Sequence, residues 1–340
     1  MNSIYRSLKA LDKRHIVITG RRGSGKSTLF RQLLPRWSEE AIFTCARPKD
    51  GVYFKTVRGS SLTIGRYDHS LPGTDKKMRP MEEEFRRAAE SFGEFSTSHA
   101  AIDEIGYLEP VWFLDAVTEL MKHKSLLVTV RKDAPFLQIL RQRDDVLIVD
   151  SDGFNMGCVM MASGLGKRFG GNKLMAPLGG KPVIAWAMDA AEDVFSKVVV
   201  VTRHEDVKKL CEEKNVECVL HDLPYRSDTV RLGMERMEDM THCLFLPGDQ
   251  PFVMKESLYA MALCAANQDG IWRLGGKSPV LFPRWTFEEL KALPQGKGGG
   301  ILTQKYEERV YSIEEVSSWE LRDIDTPQDL SCFCAGICCN

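Results

Sequence analysis

The sequence has no apolar stretch near the ~18 residues that a membrane-spanning helix needs. It also has almost no net charge, because 46 Lys and Arg are balanced by 47 Asp and Glu, which argues against a dedicated nucleic-acid-coating protein. The first fifteen residues lack the apolar core of a secretory signal. Neither a membrane nor a nucleic-acid partner is therefore expected. With 340 residues, 43% hydrophobic and 27% charged, the chain predicts a globular protein of about two domains.

The cysteines and histidines lack the spacings that indicate a metal site. Six of the ten cysteines are scattered along the chain and predict reduced thiols in the cytoplasm. The other four, Cys332, Cys334, Cys338 and Cys339, crowd the tail 332–340 in a spacing that fits neither paired zinc ligands nor a ferredoxin run. A frayed reduced tail and a metal-binding tail both stay open. None of the seven histidines is assigned as a ligand.

Two halves of the chain begin in the same way, with an apolar strand, a glycine-rich turn and a helix. Residues 15–19 precede GRRGSGKS, and residues 158–161 precede ASGLGKRFGGNK. Further continuous apolar runs predict parallel strands buried on both faces, at 100–102, 126–130, 144–150, 197–202, 217–220 and 242–246. The chain is thus predicted to form two tandem α/β domains, 1–152 and 156–331, joined by a polar turn. A further helix is predicted at 81–91.

The first glycine-rich turn fits G-x-x-x-x-G-K-[ST] in full. Its predicted nucleotide-binding set is Gly20, Gly23, Ser24, Gly25, Lys26, Ser27 and Thr28. The glycines let backbone N–H groups surround phosphates, Lys26 reaches the β- and γ-phosphates as a catalytic cation, and Ser27 binds Mg²⁺. Residues 1–37 hold nine Lys or Arg against one acid, an excess that also suits an ordinary solvated basic face.

A phosphate-binding turn of this kind is expected to have an acidic partner at the end of another apolar strand. Asp103-Glu104 is such a pair. Asp103 is predicted to hold the magnesium, and Glu104 to orient an attacking water as a catalytic residue. Arg131 follows the strand 126–130, where sensing of the γ-phosphate and a plain surface role are both open.

These two motifs, ITGRRGSGKST and AIDEIGYLE, resemble those of the nucleoside-triphosphatase family first described from thermophiles, which has a DEIG-x-x-E signature. The resemblance covers roughly residues 12–150. It implies a P-loop domain that hydrolyses ATP, GTP or other triphosphates through Lys26, Ser27, Asp103 and Glu104.

The second glycine-rich turn lacks G-K-[ST], so it is not another phosphate loop of the first kind. Lys167, Arg168 and Lys173 flank its backbone amides, an arrangement that can hold a triphosphate while its α-phosphate is attacked. Taken alone, the same residues also fit a strand-to-helix turn with solvated lysines.

Two later acidic residues favour the nucleotide-binding interpretation. Asp249 ends an apolar strand in LPGDQP, where parallel sheets place ligand sites, and Asp325 lies in DIDTPQD. Two carboxylates from separate segments can hold one Mg²⁺ that bridges phosphates. Asp249 could instead be a turn residue, and Asp325 part of a helix N-cap before Pro327.

Together, ASGLGKRFGGNKLMAPLGGKPVI, LPGDQP and DIDTPQDL resemble the molybdenum cofactor cytidylyltransferases and their guanylyltransferase relatives, over about residues 156–330. The resemblance implies a Rossmann-like nucleotidyltransferase domain. It assigns triphosphate binding and catalysis to Arg168 and Lys173, and metal binding to Asp249 and Asp325. It extends the nucleotide-binding set to Ala162, Ser163, Gly164, Lys167, Ser227 and Asp228. Segments 278–282 and 296–298 resemble the acceptor side.

This sequence departs from that family's opening motif, because Ser163 stands where an alanine is usual and Gly166 where a serine is usual. The expected enzyme uses Mg²⁺ and transfers CMP from CTP, or less readily GMP, to a molybdopterin-type acceptor. Its partners would be nucleoside triphosphates (CTP, GTP, ATP), that acceptor and a client molybdoenzyme. Alternatives are a sugar-phosphate or isoprenoid-type cytidylyltransferase, or a nucleotide-gated chaperone that delivers a metal or cofactor.

Overall fold

The computed structural model describes residues 12–21, 24–37, 42–45, 52–56, 61–64, 98–105, 111–152, 154–314, 317 and 319–334. The chain divides into two compact units, Met1–Phe154 and Asn155–Asn340. The predicted helix at 81–91, Gly23, Cys338 and Cys339 lie outside the described residues. Within them, no helix has the length and apolar character that a membrane span requires.

The amino-terminal unit is a mainly parallel sheet flanked by helices. Its strands are β1 His15–Gly20, β2 Ile42–Cys45, β3 Val52–Thr56, β4 Ser61–Ile64, β5 His99–Ile105, β6 Ser125–Arg131 and β7 Val146–Asp150. The described helices are α1 Lys26–Trp37, α2 Val111–His123 and α3 Pro135–Arg141. The strand order is β4-β3-β2-β5-β6-β1-β7, with only β3 and β4 paired antiparallel to their neighbours.

The continuous apolar runs of this unit form the buried centre of the sheet, as predicted. Every residue of β1 is buried, and so is β6 apart from its two end residues. Because β6 lies between β1 and β5, the glycine-rich turn that follows β1 and the acidic pair of β5 lie two strands apart at the same carboxyl edge. The fold therefore brings together residues that are far apart in the sequence.

The carboxy-terminal unit is also an α/β layer structure. Its strands are β8 Met156–Ala162, β9 Pro177–Leu178, β10 Lys181–Pro182, β11 Lys197–Thr202, β12 Glu217–Leu220, β13 His242–Pro247, β14 Ile271–Leu274, β15 Lys277–Pro283 and β16 Val310–Ile313. Its helices are α4 Val183–Glu192, α5 Glu205–Lys214, α6 Arg226–Met234, α7 Lys255–Asn267, α8 Phe287–Lys291, α9 Gly300–Lys305 and α10 Pro327–Cys334.

The main sheet of this unit has the order β12-β11-β8-β13-β15-β14-β16. β8 is parallel to both β11 and β13, so their carboxyl ends meet at one edge. β15 is antiparallel to β13 and β14. The predicted parallel strands at 197–202, 217–220 and 242–246 are confirmed. Burial on both faces is wrong for β12, because it is the edge strand and its residues Glu217 and Leu220 are exposed.

The hairpin of β14 and β15 was not predicted as a pair of strands. Gly275 and Gly276 join the two strands with φ values of +51° and +70°, a conformation that suits glycine. Two glycines between apolar runs indicate a tight hairpin, so this pair of strands could have been predicted from the sequence. This hairpin forms one side of the cavity described below.

Helix α6 approaches β8 unusually closely at Gly233. A Cβ atom at this position would lie 2.4 Å from Cγ1 of Val159 on β8, closer than carbon atoms can approach. Glycine is normally disfavoured within a helix, by about 1 kcal/mol relative to alanine. Its presence here is explained by the contact with the sheet.

We predict that Gly233→Ala destabilises the carboxy-terminal unit by about 1–2 kcal/mol, because overpacking outweighs the gain in helix propensity. Gly300→Ala is the matched control, since Gly300 begins α9 and a Cβ there meets no atom within 4 Å. Urea unfolding followed by tryptophan fluorescence measures both variants. Equal or greater stability of Gly233→Ala would show that the helix can move away from Val159 without cost.

Candidate active site

Several of the predicted site residues of the carboxy-terminal unit lie at the carboxyl edge of β8 and β13. The glycine-rich turn 163–172 follows β8, and Asp249 follows β13 after Gly248. Ile324 donates its backbone N–H to the carbonyl of Asp249 at 2.9 Å, which brings the segment before α10 to the same edge. Three distant segments therefore converge where parallel sheets commonly bind ligands.

The glycine-rich turn is folded tightly on itself around Gly166. Gly166 has φ of +58°, and its carbonyl accepts hydrogen bonds from the N–H groups of Phe169 and Gly170 at 2.9 and 3.0 Å. A Cβ at Gly166 would lie 2.1 Å from the carbonyl oxygen of Gly171. This closeness explains why glycine stands where the resembled family usually has serine. The turn leaves Lys167 and Arg168 exposed.

An ion cluster links the turn to both acidic segments. The Lys173 ammonium lies 2.5 Å from Oδ2 of Asp249 and 2.8 Å from Oδ1 of Asp325. Arg168 approaches the other oxygen, Oδ2, of Asp325 at 2.8 Å. The structure thus brings together the two predicted catalytic cations and the two predicted metal-binding carboxylates.

Burial and charge set the protonation of this cluster. The side chain of Lys173 is only 11% exposed. Burial lowers the pKa of Lys173, but hydrogen bonds to Asp249 and Asp325 outweigh it and raise the pKa above its ordinary value. Burial also raises the pKa of Asp323, and the nearby Asp249 carboxylate raises it further. Lys173 therefore stays charged as the counter-ion of the carboxylates.

The start of α10 places Asp325 without using its carboxylate as a cap. Thr326 and Asp329 exchange hydrogen bonds, with the N–H of Asp329 donating to the Thr326 hydroxyl at 3.2 Å. The N–H groups of Asp325 and Thr326 donate to Oδ2 of Asp329 at 3.1 and 2.7 Å. This is a capping box with Pro327 as the first helical residue. The Asp325 carboxylate is left to contact Lys173 and Arg168.

The start of the turn is held by two histidines. The hydroxyl of Ser163 lies 2.7 Å from Nε2 of His221 and donates to the carbonyl of Val201 at 3.1 Å. Nε2 of His204 lies 2.8 Å from the carbonyl oxygen of Gly164. Burial, together with the nearby Arg203, lowers the pKa of His221, so its ring is neutral at pH 7. Ala162 is buried at the end of β8.

Ser227 and Asp228 both make contacts that shape the start of α6. The Ser227 hydroxyl accepts the N–H of Gly296 at 3.2 Å and so ties the helix to the glycine-rich loop 296–300. Oδ2 of Asp228 accepts the N–H of Tyr225 at 3.1 Å, which caps the helix. Both predicted nucleotide-binding residues thus position α6 and its neighbouring loop.

A cavity of about 530 Å³ opens beside this edge of the sheet. Its floor is apolar and includes Met161 of β8, Phe245 of β13 and Val280 of β15. Register pairing places Phe245 opposite Val280, so these side chains share one face of the sheet. Residues of α6 and the segment 298–304 form the other walls. Ser278 and Gly298, from the two predicted acceptor-side segments, both line this cavity.

The amino-terminal unit assembles a second group of predicted residues. Ser27 donates its hydroxyl to Oδ1 of Asp103 at 3.2 Å, and Thr129 of β6 donates to the same oxygen at 2.5 Å. The Lys26 ammonium donates to the carbonyls of Gly20 and Arg21 at 3.0 and 2.6 Å. Burial lowers the pKa of Lys26, and the Asp152 carboxylate opposes this effect. A hydroxyl, a carboxylate and an ammonium therefore meet at the carboxyl edge of β1.

Other predicted residues of the amino-terminal unit lie around the same glycine-rich turn or at the end of β6. The hydroxyls of Ser24 and Ser151 lie 2.6 Å apart. A Cβ on Gly20 would lie 2.2 Å from the Ser151 hydroxyl oxygen. Arg131 forms a bidentate pair with Asp133 at 2.9 and 2.6 Å. Gly25 has φ of +84° just before α1. The side chains of Thr28 and Glu104 lie outside the described part of the chain.

The donor sets fit a hard divalent cation that is shared with phosphates. Mg²⁺ is usually held by one or two carboxylates, with waters and substrate phosphates completing its six ligands. Asp249 and Asp325 converge on one point, and Ser27 and Asp103 make a hydroxyl–carboxylate pair. Among the described residues no group of three or more His, Cys, Asp or Glu side chains could hold a metal without a substrate.

Three residues that the sequence analysis did not assign also contribute to these sites. Thr129 was counted only as a strand residue, although it contacts Asp103. Arg273 and Lys277 line the cavity and were not singled out. The only sequence signal for Arg273 is a single cation inside an otherwise apolar strand, IWRL, which is weak without the fold.

Comparison with known proteins finds similarities that fall in the carboxy-terminal unit. Residues 158–310 match the family model described as the MobA-like NTP transferase domain. Among curated proteins, the bifunctional protein GlmU of Thermoanaerobacter pseudethanolicus is 31% identical over 106 residues, 29% of this chain and 23% of that protein. GlmU of Pseudothermotoga lettingae is 31% identical over 108 residues, 30% of this chain and 24% of its own length. The chain therefore spans about a quarter of the curated relatives that it matches.

Solved structures of similar chains are also found. A nucleotidyl transferase from Methanothermobacter thermautotroptrophicus has 24% identity and a TM-score of 0.47, covering 54% of this chain and 99% of that one. A manganese complex of Rv0371C from Mycobacterium tuberculosis has 19% identity and a TM-score of 0.43, covering 53% of this chain and 97% of that one. Neither these comparisons nor the family model shows a P-loop nucleoside triphosphatase in the amino-terminal unit.

We predict that Lys173→Met lowers the free energy of unfolding of the carboxy-terminal unit by roughly 1–3 kcal/mol, since it leaves two partly buried carboxylates without their shared cation. Lys291→Met is the control, because its ion pairs with Glu238 and Glu288 involve well-exposed carboxylates. Its loss should cost less than about 1 kcal/mol. Equal losses in urea unfolding would mean that the Lys173 cluster is no more than a surface ion pair.

Proposed function

We propose that the carboxy-terminal unit transfers a nucleotidyl group from a nucleoside triphosphate to a phosphate-bearing acceptor and releases pyrophosphate. The observation that carries this proposal is the cluster of Arg168, Lys173, Asp249 and Asp325 at the carboxyl edge of β8 and β13, the two strands whose residues Met161 and Pro247 line the cavity. It provides cations for a triphosphate and carboxylates for a metal next to a space that can hold a second substrate. The match of residues 158–310 to the MobA-like NTP transferase domain supports the same reaction class.

The reaction needs in-line geometry more than it needs a strong base. An acceptor phosphate oxygen forms a bond to the α-phosphorus of the triphosphate, and the bond from that phosphorus to the bridging oxygen breaks. The electron pair of the broken bond leaves with pyrophosphate. Because an acceptor phosphate is already ionised at pH 7, positioning and charge neutralisation supply the catalysis.

The chain's own cations would neutralise the charge that develops on the leaving pyrophosphate. Arg168 is exposed on the turn and free to rotate towards the phosphates, although it contacts Asp325 in this structure. Lys173 is held more rigidly between the carboxylates. Backbone N–H groups of the turn 163–170 and the exposed Lys167 add further donors.

Asp249 and Asp325 would hold the Mg²⁺. When bound, the metal would neutralise phosphate oxygens and fix the α-phosphate for attack. Lys173 presents a positive charge to the same two carboxylates and keeps them facing each other. The protein therefore holds the carboxylates in place before the substrates arrive.

The finer assignment is CMP transfer from CTP, with GMP transfer less favoured, to a molybdopterin-type acceptor. It rests on the motif resemblance and on the placement of Ser278 and Gly298 in the cavity wall. Sugar-phosphate or isoprenoid-type cytidylyl transfer is the alternative reaction. Pyrophosphate release from CTP, GTP and ATP, measured with molybdopterin, a sugar phosphate or no acceptor, separates them. Nucleotide-dependent binding of a client molybdoenzyme without any turnover would instead favour a delivery chaperone.

A second activity, Mg²⁺-dependent hydrolysis of triphosphates, is proposed for the amino-terminal unit. It is favoured by the contact of Ser27 with Asp103 beside Lys26. Ser27 and Asp103 would hold the metal, and Lys26 would bind the β- and γ-phosphates. Glu104 is proposed to orient the attacking water.

We expect Asp249→Asn to lower pyrophosphate release by the full-length protein by a factor on the order of 10²–10³, since an electrostatic stabiliser of the transition state is lost. Asp325→Asn should be similar or milder. Asp239→Asn is the matched control, because Asp239 is exposed before the amino end of β13, opposite to Asp249. Transfer at the normal rate by Asp249→Asn would refute the metal assignment.

Lys26→Ala should abolish phosphate release by the amino-terminal unit and leave pyrophosphate release unchanged, because the two reactions use different lysines. Lys122→Ala, an exposed residue of α2, is the control. Phosphate and pyrophosphate are measured in parallel on the same preparation. Phosphate release that persists in Lys26→Ala would show that the unit is not a P-loop hydrolase.

A further inference from the structure

Three cations line the cavity of the carboxy-terminal unit without an anionic partner. Arg226, Arg273 and Lys277 contribute to its walls, and no Asp or Glu is among its described lining residues. Within the described part of the chain none of the three forms an ion pair. Like charges around a concave space repel each other unless an anion enters it. The cavity is therefore built to receive negative charge.

Arg273 is the cation that the fold places most firmly. It lies on β14, where it pairs with Val280 of β15, and Val280 pairs in turn with Phe245 of β13. Paired residues project from the same face of a sheet, so Arg273 stands at the far end of the apolar floor. Its neighbour Trp272 projects to the other face and donates to the carbonyl of Gln268 after α7. The strand alternation thus directs Arg273 into the cavity.

The guanidinium of Arg273 is not satisfied by the protein. Its Nε is buried and has no hydrogen-bond partner among the described residues. Burying a donor without a hydrogen-bond partner costs free energy, and the cost is larger for a charged group. A planar guanidinium is well suited to bind a carboxylate or phosphate in bidentate fashion. A ligand anion would offset this cost.

The sheet also sets the distance between the two charged ends of the cavity. The reaction centre lies beyond the end of β13, and Arg273 lies on β14, with β15 between them. Neighbouring strands are about 4.8 Å apart, which separates the two ends by roughly 10 Å across the sheet. Arg273 is in register with Phe245, four residues before Asp249, so an offset along the strands adds to this distance. A small sugar phosphate with neutral hydroxyls would not place an anion at both ends.

We infer that the acceptor carries a second anionic group, at least about 10 Å from its reacting phosphate, and that the body joining the two packs on the apolar floor of the cavity. Arg273 binds this second anion, and Lys277 contributes from the neighbouring strand. The body lies on the floor formed by Met161, Phe245 and Val280. This inference rests on the proposed transferase function and names the class of its acceptor.

Two matched probes test the inference without turnover. 6-Carboxy-2-naphthyl phosphate has an anion at each end of a flat bicyclic body, and 2-naphthyl phosphate has only one. In calorimetric titrations of the full chain without nucleotide, the probe with the carboxylate should bind roughly tenfold more tightly. Arg273→Met should reduce this preference to about twofold or less. Arg236→Met, which removes an exposed arginine of the same unit, should leave it unchanged.

Lys277→Met provides a second variant in case Arg273→Met does not fold, because Lys277 is exposed and its loss cannot disturb the core. It should reduce the preference by about threefold. Equal affinity of the two probes for the wild-type chain, absence of binding by both, or an unchanged preference in both variants would overturn the inference. CTP titrated into the same samples tests the proposed function separately: CTP binding without a preference for the probe with the carboxylate would refute the acceptor class alone.

Discussion

The ammonium of Lys173 joins three parts of the carboxy-terminal unit that are far apart in the sequence. It contacts Asp249 after β13 and Asp325 before α10, while Lys173 itself ends the turn that follows β8. Parallel strands bring these segments to one edge, but strand pairing alone does not fix the distances between side chains. The shared cation fixes them, because two carboxylates this close would otherwise repel each other. The geometry of the proposed metal site and the position of the glycine-rich turn after β8 both depend on this cation.

Both units hold a lysine by hydrogen bonds to protein oxygen atoms, but the oxygen atoms differ in charge. In each, a lysine that follows a glycine-rich turn donates to oxygen atoms of the protein. Lys26 contacts the carbonyls of Gly20 and Arg21, and Lys173 contacts carboxylates. In both cases phosphate oxygens would compete with protein oxygens for the ammonium. The cost of drawing the lysine away is higher in the second unit, because two charged partners would lose their cation.

The sequence predicted the parts of this structure that local patterns encode. Continuous apolar runs located the parallel strands because burial on both faces leaves no polar alternation, as in β11. The G-x-x-x-x-G-K-S motif indicated that Lys26 and Ser27 should lie next to an acid at the end of another strand. This could be predicted because few strand orders are possible once the strands are parallel. The partners of Lys173 could not be predicted as contacts, because they depend on how two long connections return to one edge. Arg273 was missed for a related reason. Its position in the cavity depends on its register with Val280, and the sequence of one strand does not predict how that strand pairs with its neighbour.

In the proposed enzyme, the hairpin of β14 and β15 would separate the selection of the acceptor from the chemistry. The proposed phosphate-binding residues lie on the turn after β8 and at the ends of β13 and α10, whereas Arg273 lies on β14. Side chains on one face of a strand recur every second residue, about 7 Å apart. The next position on this face of β14, Ile271, is fully buried in the core, so Arg273 is the residue of this face from which a cation reaches the cavity. In the proposed enzyme, a substitution at position 273 would therefore change which acceptor binds without altering the transfer residues, which lie on other segments.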